Sequence, residues 1–180
     1  MSGPTALRRW ILVAAVALVA LVAFVVGTVP GAQAAALPKV TKASEIDMSF
    51  SDSSTPPQYH RSWTGHVRNG IFAITVDAYG TVVAKGSFKV PVATWARVNV
   101  LLPKVKSAKS GGSTAGCAGG TGRTLEVRVA KKVVVSLDTE LCGGPNPQAE
   151  ATDAVNNEFL KLVGDFDTFA KRGQPPKAIT

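Results

Sequence analysis

The sequence predicts an α+β domain in which an antiparallel sheet, built from hairpins, has one face covered by two helices. Three observations predict this fold. Apolar and polar side chains alternate in several short segments between residues 45 and 141, as they do in strands with one buried face. Turn-forming residues separate those segments at hairpin spacing. Two other segments, after Pro91 and after Asn146, carry apolar residues at the steps of three and four that indicate helices. Strands joined in hairpins favour an antiparallel sheet over βαβ units.

The composition is typical of one folded domain. The chain has 180 residues, of which 46% are hydrophobic, with 20 basic and 12 acidic side chains. Disordered chains combine lower hydrophobicity with higher net charge. A chain of this length requires no second domain. The two cysteines and two histidines are too few for a disulfide-dense miniprotein, a multi-haem protein or a zinc-finger array.

The N-terminus has the three parts of an export signal. Two arginines precede an uninterrupted apolar run over residues 10–26, helix-breaking glycine and proline follow, and residues 32–34 read Ala-Gln-Ala. We expect residues 1–34 to be a signal peptide that is cleaved after Ala34. An uncleaved anchor is the alternative, because the run approaches the roughly 20 residues that cross a bilayer. The remainder is then expected in the envelope or the medium, or as the outer domain of a single-pass membrane protein.

The rest of the chain is predicted to divide into three parts. Residues 35–44 form a tether, residues 45–173 form the single domain, and residues 174–180 form a flexible tail. Within the domain, strict alternation from Glu45 to Ser51 predicts a half-buried strand.

The clearest local element is a hairpin that turns at Asn69-Gly70. These residues tolerate the two positive backbone angles of a type I′ turn, and strands are expected on both sides over residues 63–68 and 71–78. The turn fixes the register, and one face of the hairpin becomes the core face. The facing pairs there are Val67 with Phe72, Gly65 with Ile74, and Trp63 with Val76.

A fourth strand and the first helix follow. The strand is expected over residues 82–90, and its inward side chains are Val82, Ala84, Phe88 and Val90. Pro91 fits the first turn of a helix, and Pro103 is expected to end that helix. Residues 104–122 would then form a long loop.

A second hairpin and a second helix complete the domain. Strands are expected over residues 123–130 and 133–141, but Lys131-Lys132 is poor turn chemistry, so a looser connection or a shifted register is expected. Asn146 can cap a helix that Pro147 starts, and one apolar stripe is expected to continue to Gly173. The stripe of the helix comprises Val155, Phe159, Leu162, Phe166 and Phe169, and the inward strand residues are Leu125, Val127, Val129, Val133, Val135 and Leu137.

Cys117 and Cys142 flank the second hairpin and are expected to form a disulfide. Pairing of the strands puts Cys142 opposite about Thr121, close to the glycine turn after Cys117. A disulfide is the default for two cysteines in an exported chain. Closing this loop stabilises the fold by about 3.5 kcal/mol on the chain-entropy model. Free thiols and a metal site are the alternatives.

No metal and no cofactor are expected. His60 and His66 lie six residues apart on one extended segment, which separates them by roughly 20 Å and excludes a shared ion. Residues 116–124 superficially resemble a phosphate-binding loop. However, Cys117 takes the place of its first glycine, Arg123 takes the place of its lysine, and a strand follows instead of a helix.

The leading functional hypothesis is a non-enzymatic module that binds another macromolecule at the cell envelope. A rigid Pro56-Pro57 pair precedes Tyr59, His60 and Arg61, and tyrosine and arginine are frequent anchors of interfaces. Lysines of the expected loop are the second candidate for contact. Removing Arg8 and Arg9 with the signal leaves 18 basic against 12 acidic groups. This balance suits an anionic envelope polymer or headgroup, and no nucleic acid is expected outside the cell. The lysines are Lys104, Lys106 and Lys109.

Two alternatives belong to other classes. The sequence contains no nucleophile elbow, Ser-x-x-Lys pair or zinc-protease helix. However, His60, Ser62 and Asp77 are expected near one another on the open face of the sheet, where a hydrolase-like enzyme could be built. The third hypothesis is an envelope structural protein that is retained by its anchor, with contact to the membrane only through the N-terminal segment.

Three segments resemble a group of small exported bacterial proteins to which no activity is assigned. They are the stretch from Ser51 to Ser62, which contains Pro-Pro-Gln-Tyr-His-Arg, the stretch Gly-Cys-Ala-Gly-Gly-Thr-Gly around Cys117, and Cys142-Gly143-Gly144. The resemblance covers most of the chain after the signal. It implies a shared fold and the same disulfide, and it transfers no catalytic residue.

Overall fold

The computed structural model describes residues 36–53, 55–56, 59–109 and 119–171. The class is the predicted one, an α+β fold with an antiparallel sheet. The strands are β1 (Glu45–Asp52), β2 (Ser62–Arg68), β3 (Ile71–Ala78), β4 (Thr81–Lys89), β5 (Thr121–Val129) and β6 (Lys132–Leu141). They lie side by side in the order β4-β3-β2-β1-β5-β6. The helices are α1 (Val92–Ser107), α2 (Pro147–Leu160) and α3 (Phe166–Lys171), and a 3₁₀ turn (Lys161–Val163) follows α2.

Strand β1 lies between the two hairpins, and its predicted alternation is confirmed. Ile46 and Met48 are buried, whereas Glu45, Asp47 and Ser49 are partly exposed. Neighbouring strands continue the apolar row, because Ile46 pairs with Val67 on β2 and with Val127 on β5. Side chains of the helices contact the same core, as the rings of Phe72 on β3 and Phe159 on α2 have centroids 5.6 Å apart.

The hairpin β2–β3 has the predicted turn and register. Asn69 and Gly70 have φ of 53° and 76°, as a type I′ turn requires. All three predicted facing pairs of the core side are present. This hairpin was predictable because a local turn signal and the alternation of both strands agree on one register.

Two residues that were predicted to face the core are exposed because of β-bulges. The register between β3 and β4 shifts next to Val76, so Val83 is buried and Val82 is 47% exposed. A second shift next to Val127 leaves Val133 of β6 53% exposed. One extra residue on a strand turns the side chains beyond it to the opposite face, so strict alternation assigns the wrong side there.

The hairpin β5–β6 closes at Ala130-Lys131, one residue earlier than the Lys131-Lys132 pair. Both turn residues have positive φ, at 49° and 65°, and Val129 pairs directly with Lys132. The expected shift of register is present, but the expected looser connection is wrong. Strand pairing on both sides imposes the tight turn on residues that do not favour it.

Helix α1 continues through Pro103, which was expected to end it. Pro91 caps the helix, and the buried stripe of Trp95, Val98 and Leu102 extends to Val105 beyond the proline. A proline inside a helix costs about 3 kcal/mol, and we attribute its tolerance here to the burial of Val105. The predicted loop therefore begins after Ser107, and Lys104 and Lys106 belong to the helix.

The C-terminal helix starts as predicted but does not continue to Gly173 as one element. The Asn146 side chain accepts hydrogen bonds from the N–H groups of Gln148 and Ala149, and Pro147 occupies the first turn. Gly164 has φ of 80° and ends the 3₁₀ turn. Asp165 Oδ1 then accepts from the N–H of Thr168 at the start of α3. A glycine followed by a capping residue ends one helix and begins another, and here this local signal outweighs the continuous apolar stripe.

The segment before β1 is docked rather than a free tether. Val40 is 1% exposed. Its N–H donates to Asn99 Oδ1 of α1 at 2.7 Å, and its carbonyl accepts from Asn99 Nδ2 at 2.8 Å. One side-chain amide thus satisfies both backbone groups of Val40 and fixes the segment to α1.

The described residues contain no membrane-spanning helix, since none is long and apolar enough to cross a membrane. The apolar run over residues 10–26, its expected cleavage site and the tail over residues 174–180 lie outside the described residues.

Candidate functional site

His60, the centre of the predicted contact segment, is buried with 5% exposure. Its ring stacks on Tyr79, with the ring centroids 3.9 Å apart. The N–H of Tyr79 donates to His60 Nδ1 at 3.2 Å, and Nε2 lies 3.5 Å from Ser62 Oγ. A ring nitrogen that accepts from a backbone N–H carries no proton, so the neutral imidazole has its proton on Nε2. His60 therefore packs beneath the exposed Tyr79 ring, and its own ring is not accessible to a partner.

Tyr79 adopts a strained backbone conformation in the turn between β3 and β4. Its φ is 50°, and Gly80 follows with 82°. A bulky residue with positive φ is a genuine outlier, which persists only where its surroundings hold it. His60 accepts from the Tyr79 N–H, Asp77 Oδ1 accepts from the Gly80 N–H at 2.9 Å, and the Tyr79 hydroxyl donates to the Thr55 carbonyl at 2.8 Å. The ring nevertheless remains 56% exposed.

Tyr59 and Arg61 lie on either side of His60 in the sequence. Tyr59 is 69% exposed, and its N–H donates to the Pro56 carbonyl at 2.8 Å. Arg61 is half-buried and donates to the His60 carbonyl. We call Tyr59, Arg61 and Tyr79 the tyrosine patch. The sequence predicted the first two of these residues. Tyr79 was expected near His60 but was not among the predicted contact residues, although Tyr-Gly between two alternating segments is a recognisable turn signal.

The hydrolase hypothesis requires a nitrogen of His60 that can take a proton from Ser62. In a Ser-His-Asp site the carboxylate holds the N–H of one ring nitrogen, and the other nitrogen accepts from the serine. Here Nδ1 accepts from the Tyr79 N–H and has no N–H for a carboxylate to hold, and Nε2 lies 3.5 Å from Ser62 Oγ. Asp77 binds the N–H of Gly80. The structure brings His60 and Ser62 together, but a backbone N–H and not the Asp77 carboxylate is bound to the other ring nitrogen.

The three candidate lysines lie on or next to α1, in a different part of the chain from the tyrosine patch. Lys104 and Lys106 are exposed residues of the last turns of α1, and Lys109 follows it. Cations near the C-terminus of a helix interact favourably with its dipole. These lysines therefore have a local structural explanation, and any use by a partner involves the exposed surface of α1.

An ionic network that the sequence analysis did not identify lies on the side of β1 opposite the core. Asp47 accepts from Arg68 Nη2 and Arg128 Nη1, each at 2.8 Å, and its Oδ1 lies 2.7 Å from His66 Nδ1. Burial by itself raises the pKa of Asp47. The hydrogen bonds from Arg68 and His66, together with the Arg68 charge, outweigh this effect and hold the pKa below its usual value. The network joins β1, β2 and β5.

The two histidines have separate surroundings, His60 beside Tyr79 and His66 beside Asp47. Across the part of the chain that the structure describes, no three histidine, cysteine or acidic side chains are grouped as metal ligands.

Arg123 is a buried arginine on the core side of β5. Its Nε lies 2.6 and 2.7 Å from the two carboxylate oxygens of Asp153 on α2, and its guanidinium carbon lies 5.3 Å from the centroid of the Phe50 ring. A cavity of about 250 Å³ lies beside this pair, with Trp63 and Phe166 in its lining. Strand parity places Arg123 on the side of Leu125, a signal that the sequence contains. The partner on α2 is fixed only by tertiary packing.

Cys142 follows β6 directly and is not a free thiol. Cys117 lies outside the described residues, as do Gly116 and Ala118 of the segment that resembles a phosphate-binding loop, whereas residues 119–124 are described. The pairing of the two sulfurs stays a prediction.

Comparisons of the chain with protein-family models, with curated proteins and with solved structures found no match. The resemblance to small exported bacterial proteins therefore stays a prediction, and the functional argument depends on the geometry of the chain itself.

Proposed function

We propose that the protein is an exported, non-enzymatic module that binds an anionic macromolecule of the cell envelope through the tyrosine patch. One observation carries this proposal: an exposed tyrosine is held in a strained backbone conformation by a buried histidine. Strain of this kind is concentrated at functional sites, where the surrounding structure compensates for it.

The contacts of His60 give the patch the rigidity that a binding surface needs. Association is weakened when side chains must be ordered at the interface, so a surface that is already ordered binds more tightly. Tyr79 is fixed at its backbone N–H, at its ring and at its hydroxyl. Its exposed area is therefore available to a partner without further loss of conformational entropy.

The charge of the chain and of the patch favours an anionic partner. Arg61 adds a guanidinium beside the His60 carbonyl, one residue from the ring that stacks on Tyr79, and arginine binds carboxylate and phosphate groups in a planar geometry. Without the predicted signal, the chain keeps 18 basic against 12 acidic groups. Export, which the N-terminal segment predicts, would bring this surface to wall polymers that carry phosphate or carboxylate groups.

Co-sedimentation of the full chain with washed bacterial cell-wall fragments tests the proposal. Tyr79→Gly removes the ring and keeps a residue that favours positive φ, so the turn is retained. We expect this variant, and separately Arg61→Gln, to raise the half-saturating wall concentration about tenfold, the effect of losing one interface anchor.

Two controls define the result. Lys132→Gln removes one exposed charge from β6, away from the patch, and is expected to leave binding unchanged. Fragments from which the anionic polymers have been extracted are expected to lose most of the binding. Equal binding by the Tyr79→Gly and Lys132→Gln variants would refute the patch, and undiminished binding to extracted fragments would refute the anionic partner.

A further inference from the structure

The solvent-facing side of helix α1 is apolar. Val92 is 84% exposed and Val100 is 65% exposed. Ala93, Ala96 and Pro103 are also exposed. At about 100° per residue these five side chains fall within an arc of roughly 100° on one side of the helix, which also contains Ser107 in the last turn. We call them the apolar face of α1. Surface helices of soluble domains normally carry polar residues at such positions, because the apolar stripe is used for the core.

The core does use a separate stripe of the same helix. Trp95, Val98 and Leu102 are buried on the other side. Helix α1 is therefore apolar on two sides, and the described residues of the domain bury only one of them. Contiguous exposed apolar surface marks a site of interaction with another molecule or with a membrane.

Cations border the apolar face on both sides. By the helical wheel, Arg97 and Lys104 lie along one edge and Lys106 lies along the other. Helix α1 contains no acidic residue at all. In the described part of the chain, no ion pair engages Lys104, Lys106 or Lys109.

Glu158, an acidic residue that lines a cavity beside this face, is paired with two cations. A shallow cavity of about 320 Å³ is lined by Ala96, Val100 and Glu158 of α2, among others. Glu158 Oε2 lies 3.4 Å from Arg97 Nη1, and Glu158 Oε1 lies 2.5 Å from Lys161 Nζ. Two cations thus surround one carboxylate, which leaves the edge of the face positive overall.

We propose that the apolar face of α1 docks on the surface of an anionic lipid bilayer. A helix that lies in the interface places its apolar side chains at the boundary of the acyl chains, while lysines at its edges extend their ammonium groups to the headgroups. Both parts of this arrangement are present on α1. The inference concerns a surface separate from the tyrosine patch and goes beyond the function proposed above.

Charge favours a lipid surface over a second copy of the chain. Self-association through this face would bring two sets of unpaired lysines together, and like charges across an interface disfavour it. An anionic headgroup layer is complementary to the same lysines. Each lysine near such a surface strengthens binding about fivefold, and salt weakens the attraction.

Photo-crosslinking of the full chain in vesicles tests the proposal. A photoreactive residue is introduced by Val100→p-benzoylphenylalanine in the apolar face, and by Val133→p-benzoylphenylalanine on β6 as the control. Both positions are exposed valines in the parent chain, so both variants are expected to fold. Residues 1–35 are identical in the two variants, so a difference between them reports on the folded domain.

We expect about tenfold more lipid adduct from position 100 than from position 133 on vesicles of phosphatidylcholine with phosphatidylglycerol, since only the first lies in the docking face. On phosphatidylcholine alone, the yield at position 100 is expected to fall about fivefold or more. Combining Lys104→Gln, Lys106→Gln and Lys109→Gln should lower it similarly. The matched control combines Lys85→Gln, Lys131→Gln and Lys132→Gln, which are exposed lysines elsewhere, and should not lower it.

Three outcomes would overturn the proposal. Equal lipid adduct at positions 100 and 133 would show that the face does not select the bilayer. Adducts between two chains would identify the face as an interface between copies. A yield that does not depend on the lipid charge would refute the role of the lysines.

Discussion

The two hairpins that flank β1 close with the same backbone geometry but with different residues. In β2–β3 the turn residues are Asn69 and Gly70, and in β5–β6 they are Ala130 and Lys131, and all four have positive φ. Asparagine and glycine adopt this conformation readily, whereas alanine and lysine do so at a cost of about 1 kcal/mol or more each. The first turn is therefore specified by its own residues. The second is imposed by the pairing of its strands.

The hairpins also differ in how they are attached to the core. In β2–β3 the attachment is close packing, since a Cβ added at Gly65 would lie 3.0 Å from Cγ of Met48 on β1 and 2.7 Å from Cε2 of Phe72. In β5–β6 a buried ion pair contributes, because Arg123 binds Asp153 of α2. A closely packed contact is destabilised when a substitution adds volume, and an ion pair is destabilised when a substitution removes one of its charges. Each hairpin should therefore be sensitive to a different kind of substitution.

The largest expected effect is the loss of the ion pair in β5–β6. Arg123→Ala should lower the free energy of unfolding by about 2 to 3 kcal/mol, less than a fully buried pair because Asp153 remains partly solvated. Urea denaturation of the full chain measures this change. Arg68→Ala, which removes an arginine that is 40% exposed, is expected to cost less than about 1 kcal/mol. An equal loss of stability in both variants would show that the burial of Arg123 does not make its ion pair more stabilising than an exposed one.

A matched pair of glycines tests the packing of β2–β3. Gly65→Ala should destabilise by about 1 to 3 kcal/mol, because the new methyl overpacks a fully buried ring. At Gly122 of β5 the nearest atom to an added Cβ is Ser51 Cβ at 3.5 Å, an ordinary contact. Gly122→Ala should therefore leave stability unchanged or raise it by about 0.5 kcal/mol. Denaturation midpoints in the reverse order would contradict the assignment of close packing to β2–β3.

The smallest effects concern the turns. Lys131→Gly should stabilise the fold by about 0.5 to 1 kcal/mol, because it relieves the positive φ. Gly70→Ala should destabilise it by about 1 kcal/mol for the opposite reason. Thermal unfolding of both variants measures whether each substitution raises or lowers the stability. A loss of stability on Lys131→Gly would mean that the second turn is not strained.

Local signals explain which parts of the fold were predictable. Asn69-Gly70 and Asn146-Pro147 act through their own backbone preferences, and both were assigned correctly. Pro103 was assigned as a helix end because a local rule was applied where distant contacts decide the outcome, since the helix continues to bury Val105. The exposure of Val82 depends on a bulge, which alternation in one strand does not contain.

The candidate site divides in the same way. The sequence identified Tyr59 and Arg61 because a double proline presents an aromatic and a cation together. It placed His60 with them, although the structure buries that ring beneath Tyr79. Which of the neighbouring polar residues faces outward depends on contacts with the next hairpin, and these are not encoded within the segment.

The sequence by itself determined the α+β class, the first hairpin with its register, and the start of α2, because each depends on interactions within a few residues. The tertiary structure decided the tautomer of His60, the partner of Arg123 and the exposure of the apolar face of α1. These depend on which distant elements meet. When a helix is apolar on two sides, its sequence does not show which side faces the core. Only the packing of α1 against the rest of the fold determines this.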